Sequence, residues 1–138
     1  MPLNHGICWK WVFAAAALSE VAILAIFFLL LLAAKLAGVP EIAKPMSTLD
    51  YADALVSSFG IVLLFALWVG KRIESALVLH GALIGVVATL LFTGMWIATT
   101  PSWVQPVPYL IAHALKIAGG VCGGMLANQR KQGRIAVG

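Results

Sequence analysis

Charge is what this sequence most lacks. Of 138 residues only 10% are Asp, Glu, Lys or Arg, while 62% are hydrophobic. A soluble domain carries about 25% charged and about 45–50% apolar residues. A water-soluble fold of this size could not cover its surface with so few ions, so lipid is the expected solvent for much of the chain. Cysteine is also scarce. Cys8 and Cys122 supply no disulfide framework and no C-x-x-C pair. They are expected as free thiols, since they fall at different depths and Cys8 faces a reducing compartment. A removable leader is not expected either, because the first apolar run, Trp11 to Ala34, exceeds the roughly 7–15 residues of a signal-peptide core. The formal charge of +4 is read through its placement. Cations flanking apolar spans report topology, and nucleic acid is not an expected partner.

What is present is four apolar runs. The fold class expected is an all-α integral membrane protein, a four-transmembrane-helix bundle in one domain, with spans near 12–36, 49–69, 73–99 and 107–127. Trp9, Lys10 and Trp11 form an interfacial anchor before the first span, and Lys35 can snorkel from its far end. Gly38, Pro40 and Pro45 end it. Ser47-Thr48-Leu49-Asp50 resembles a capping box opening span two, with Asp50 favoured by the helix dipole. Gly70-Lys71-Arg72 predicts a tight turn and antiparallel neighbours in spans two and three, with Glu74 in the first turn of span three. The uncharged, three-proline stretch 100–108 predicts a loop, with Trp103 at headgroup level. The basic tail Arg130-Lys131-Gln132-Gly133-Arg134 follows span four.

Orientation follows from the cations. With the N-terminus inside, Lys10, Lys71, Arg72, Arg130, Lys131 and Arg134 lie inside. Lys35 and Lys44 lie outside, beside Glu41, Asp50 and Asp53. Six against two predicts both termini in the cytoplasm, and the expected location is the inner (cytoplasmic) membrane of the cell, as a multi-pass protein.

Four ionisable residues fall inside the spans: Glu20, His80, His113 and Lys116. A charge at mid-bilayer costs about 2.5–3.5 kcal/mol even on lenient scales, so these should pair or face the bundle interior. At about 1.5 Å per residue, Glu20 lies roughly 12 Å and His80 roughly 10 Å from the inner ends, with Lys116 roughly 18 Å and His113 roughly 22 Å deep. A Glu20–Lys116 pair is within reach of the lysine stem, and Glu20 and His80 are level enough to hydrogen-bond. The cluster reads either as a proton or ion relay or as a neutralised pair holding the bundle in register. Asp53, Ser57 and Gly60 make a second, outer polar or small stripe on span two. Ser57 and His113 reach similar depth, with Asp53 one turn from the serine. Without an oxyanion hole or cleft the expectation is interhelical hydrogen bonding, hence no enzyme. No metal-ligand spacing occurs and no cofactor is expected. Ala76, four residues before His80, leaves space for a porphyrin-like ring, so a haem or pigment binder through His80 or His113 is the lesser alternative.

Gly119-Gly120-Val121-Cys122-Gly123-Gly124 holds two overlapping G-x-x-x-G pairs, and Gly81/Gly85 a third. Such ridges let helix backbones meet. Two adjacent ridges let span four pack on two partners, span three and either a second subunit or another helix of the same chain, since intramolecular packing would use the same residues. A phosphate-binding loop is excluded, because the Lys-Ser/Thr ending is missing.

Ser19-Glu20-Val21, in the first of four short helices, resembles the small multidrug resistance transporters. That resemblance implies a first-helix glutamate, Glu20 here, coupling protons to export. The chain departs from that family in its longer first loop, its firm charge bias and Lys116, which would neutralise the glutamate. The expected function is a non-enzymatic module, self-associating or an accessory subunit of a membrane complex. The alternative is a small proton- or ion-coupled transporter or channel using Glu20, His80, His113 and Lys116.

Overall fold

The computed structural model describes residues 6–39 and 48–137. Four helices account for most of them: α1 Trp9–Leu36, α2 Thr48–Gly70, α3 Leu77–Thr99 and α4 Val107–Val137. Each is long and apolar enough to cross a membrane. The shortest, at 23 residues, is about 34 Å of helix, against a hydrocarbon core of about 30 Å. The stretch 40–47 lies outside the described residues, and with it Pro40, Glu41, Lys44, Pro45 and Ser47 of the expected capping box.

Local chemistry sets the helix ends. α1 closes in a Schellman turn: Gly38 has a positive φ of 73°, Val39 N–H donates to Ala34 and Gly38 N–H to Lys35. α3 stops at Thr100, which is extended as a residue preceding proline prefers to be. Pro106 and Pro108 sit at the start of α4, where a missing N–H costs nothing.

Two boundaries depart from expectation. α3 begins at Leu77, not near 73, because Ala76 takes the left-handed conformation (φ 52°, ψ 38°) and breaks the helical path. Glu74 therefore lies in a six-residue connection, not in a first helical turn. α4 does not end near 127 but continues through the basic tail to Val137, since nothing from Asn128 to Arg134 breaks a helix except Gly133, whose side is open.

The packing order also differs. α2 and α3 are antiparallel but meet little, whereas α4 packs closely against both and α1 lies across the opposite side of the same two helices. α1 and α4 thus occupy opposite corners of the bundle. The cause is the bare surface of α4. A Cβ on Gly119 would strike the Phe59 carbonyl and one on Gly123 the Leu63 carbonyl, both on α2. One on Gly120 would strike the Gly81 carbonyl and one on Gly124 the Leu77 carbonyl, both on α3. Reciprocally, a Cβ on Gly85 would strike backbone at Lys116 and Ile117. The two ridges meet α3 and α2 of the same chain, so of the two partners the sequence left open for the second ridge it is a helix of the same chain, α2, that fills it.

The remaining core is built from one stripe per helix. On α1 it is Val12, Ala15, Ala16, Ser19, Glu20 and Ile23, a repeat of three and four residues. Beyond Ile23 the α1 stripe is not continued, and Phe28, Leu29, Leu32 and Leu36 are exposed. Val12, Val62, Val69 and Ile84 are fully buried in a continuous apolar cluster that reaches Ile73 and Ala127. Trp11 packs edge-on to Trp68, and the Arg72 guanidinium lies over both rings, 5.3 Å from each centroid.

Replacing Gly120 by Leu should destabilise the bundle by about 3 kcal/mol or more, the upper end of overpacking costs, because backbone cannot move aside. Gly94→Leu, with nothing within 4 Å of its Cβ position, should leave stability within about 1 kcal/mol. Thermal unfolding in detergent separates the two, and equal melting temperatures would show that α4 does not depend on its glycines.

Candidate functional site

The ionisable residues that sequence groups together are held at three separate places. The first is the centre of the bundle. Lys116 Nζ lies 2.7 Å from Glu20 Oε1, with both side chains almost wholly buried. α1 and α4 are diagonal, so the long lysine stem spans the gap that α2 and α3 leave between them. The ammonium also sits 4.6 Å from the centroid of the Phe92 ring, a cation–π contact that compensates part of its desolvation. Glu20 Oε2 has no partner among the described residues. The pair is an ion bridge with a single close contact, not a bidentate fork.

The second place is the beginning of α3. His80 is buried and spends both ring nitrogens locally: Nε2 accepts from the Cys8 backbone N–H at 2.9 Å, and Nδ1 lies 2.8 Å from the Ala76 carbonyl. These partners fix one tautomer, with the proton on Nδ1 and the ring neutral. The anticipated Glu20–His80 hydrogen bond does not form, because the Cys8 N–H, an unpaired donor at the start of α1, claims the acceptor nitrogen first. His80 has no nitrogen left for an iron or a relay. Ala76, read from sequence as space for a ring cofactor, instead supplies the carbonyl that holds the histidine.

The third place is the end of the bundle remote from Lys71 and Arg130. Here a cavity of about 300 Å³ is lined from all four helices, by Ile23 and Phe27 of α1, Asp53 of α2, Phe92 and Trp96 of α3, and Tyr109 of α4. Tyr109 packs against the rings of Tyr51, Phe92 and Trp96 and donates its hydroxyl to Asp50 Oδ2 at 2.5 Å. Ser57 donates to Asp53 Oδ1 at 2.6 Å. Asp53 is 7% exposed, and among the described residues no lysine or arginine lies within ion-pair distance of it. His113 sits beside this cavity, its Nε2 2.7 Å from Gln105 Oε1 and its ring edge-on to Phe92. Its Nδ1 has no partner among the described residues. Ser57 and His113 therefore hold different partners and form no nucleophile–base pair.

Phe92 is the wall between two of these places, one side of its ring facing the cavity and the Lys116 ammonium lying over it. Asp50, Tyr109, Gln105 and Phe92 were not singled out as site residues from sequence. Asp50 and Tyr109 occupy corresponding ends of the parallel α2 and α4, so depth could have joined them. Gln105, between prolines in an uncharged loop, gives no such signal. Among the described residues no group of three His, Cys, Asp or Glu side chains could hold a metal ion.

Compared with known proteins, the chain matches no family model, no curated protein and no solved structure.

Lys116→Met should cost about 3–5 kcal/mol, the penalty of leaving a buried charge without its partner. Combining it with Glu20→Gln should restore much of that loss, because the second change removes the stranded carboxylate. Detergent melting curves of the two single variants and the double variant form the required cycle. Additive losses would mean that the two groups do not stabilise one another.

Proposed function

We propose that this protein is a non-enzymatic, multi-pass component of the inner (cytoplasmic) membrane, with both termini in the cytoplasm, that works by associating with itself or with another membrane polypeptide. The cation distribution supports the orientation, and the four long apolar helices support insertion. The scarcity of polar surface leaves little besides helix faces through which to act.

The observation that carries the association is an open groove on α2. Both glycine ridges of α4 are filled within the chain, but Gly60 has nothing within 4 Å of its Cβ position. It forms the floor of a shallow apolar groove of about 440 Å³, bounded by Ile26 of α1 and by Val56 and Leu64 of α2. Val56 is 75% exposed. A second helix could bring its backbone against Gly60 as α3 does against Gly120, gaining van der Waals contact where lipid chains pack less closely. The placement of the other buried polar groups agrees with a structural role, since His80 is closed by local partners and Lys116 by Glu20.

Gly60→Leu tests this reading, because it fills the groove without meeting anything inside the bundle. Gently extracted wild-type protein should run as an oligomer or with a companion polypeptide, and Gly60→Leu should run as the monomer with an unchanged melting temperature. A wild type that is already monomeric and alone would refute the proposal.

A second reading, a small proton- or ion-coupled transporter, is favoured by the cavity containing Asp53, which ends on Phe92 with the Glu20–Lys116 pair beneath it. Toward the Lys71 end the cavity gives way to buried apolar side chains, Val12, Val62, Val69 and Ile73 among them, which ranks transport below association. In proteoliposomes under an imposed pH gradient, transport predicts a proton flux lost in Glu20→Gln and reduced in Asp53→Asn. Absence of flux from the unmodified protein removes this reading.

A further inference from the structure

Three cations, Lys71, Arg130 and Lys131, line one cleft at the opposite end from Asp53, and its shape is not explained by topology. A cleft of about 350 Å³ lies between the last turn of α2 and the later part of α4, lined by Leu67, Gly70, Lys71, Ala127, Arg130 and Lys131. The preference for cations on one side of a membrane requires only that they lie there; it does not require three of them to converge on one concavity. Backbone packing makes the concavity. A Cβ on Gly70 would strike the Ala127 side chain, so the two helices touch at its floor, where α2 ends while α4 runs on to Val137. Lys131 is held in place by donating to the Ile73 carbonyl. It keeps further N–H donors. Lys71 and Arg130 are exposed on the rim. Glu74, the one acid in the neighbouring connection, does not line the cleft.

We infer that this cleft binds the phosphate of an anionic phospholipid. The floor, Leu67, Gly70 and Ala127, is apolar, and the rim is cationic. That gradient matches a lipid whose phosphate lies at the surface and whose glycerol and acyl chains run inward, and a free phosphate would gain nothing from such a floor. The depth agrees. Trp11 and Trp68, clasped by Arg72 at the same end, are the kind of rings that settle at headgroup level. Clusters of basic side chains between membrane helices are suited to such headgroups through charge-assisted hydrogen bonds.

The inference rests on the membrane-embedded reading, and the experiment separates the two. Protein reconstituted with phosphatidylcholine alone, or with added phosphatidylglycerol of the same acyl chains, is floated on a gradient to score insertion. It is then released into detergent, and retained lipid is counted by native mass spectrometry. Wild type should retain phosphatidylglycerol in preference to phosphatidylcholine. Lys71→Gln and Arg130→Gln should each reduce that retention by about five-fold, the value of one cation at a membrane surface. Lys10→Gln, which removes a cation from the same end but outside the cleft, should change it less than two-fold. Failure to float would refute the membrane reading itself. Normal flotation with no preference for phosphatidylglycerol would refute the site, as would an equal loss in Lys10→Gln, which signifies diffuse surface charge. Displacement of the lipid by millimolar glycerol phosphate would reassign the cleft to a soluble phosphate and overturn the lipid proposal.

Discussion

The close approach of α4 to both α2 and α3 is the constraint on which the rest of the structure depends. Six glycines across α3 and α4 stand where any side chain would collide with a facing backbone. Without those contacts α4 would have no reason to lie between its neighbours. α1 is then left to cover the opposite side of the same two helices. That arrangement puts Glu20 and Lys116 across a diagonal that only a long side chain can bridge. It also widens the bundle where α1 stops packing, beyond Ile23, which is where the cavity containing Asp53 opens. An interaction made of backbone and van der Waals contact thus fixes where the few polar groups can meet.

Those polar groups are distributed by satisfaction. His80 is neutral and fully bonded, and it ties the start of α1 to the start of α3. Lys116 divides its charge between a carboxylate and an aromatic face. Among the described residues Asp53 has the Ser57 hydroxyl as its partner, and it lines a cavity. A relay would need these groups to be in sequence along one path, whereas a cluster of buried apolar side chains lies between the ion pair and the Lys71 end. That distribution supports the proposed reading, in which the protein acts through its outer surfaces at Gly60 and at the basic cleft.

Much of the fold is legible in the sequence because lipid-scale helices are long, apolar and punctuated. The ends at Leu36 and Thr99 follow from Gly38 and from Thr100-Pro101, and the reach of Lys116 to Glu20 follows from counting residues. What could not be read is which helix is whose neighbour. A short connection between spans two and three suggests adjacency, but α4, arriving last in sequence, displaces that pairing because it has two bare faces and the others have one or none. The left-handed Ala76 was equally hidden, since alanine is a strong helix former and nothing local marks it as a break. The carbonyl it turns toward His80 is a tertiary fact. Likewise Gln105 could be assigned to His113 only once the loop was placed.

The ion pair joins two residues ninety-six positions apart in sequence, on the first and the last of the four helices. During synthesis the carboxyl group emerges with the first helix, and its counter-charge arrives only with the last. Until then the carboxyl group lacks the ammonium that lies beside it in the folded bundle. The contact between the first and fourth helices can form only once both have been made. A chain truncated before Lys116 would carry a carboxyl group with no mate, a built-in mark by which an unfinished product differs from a finished one.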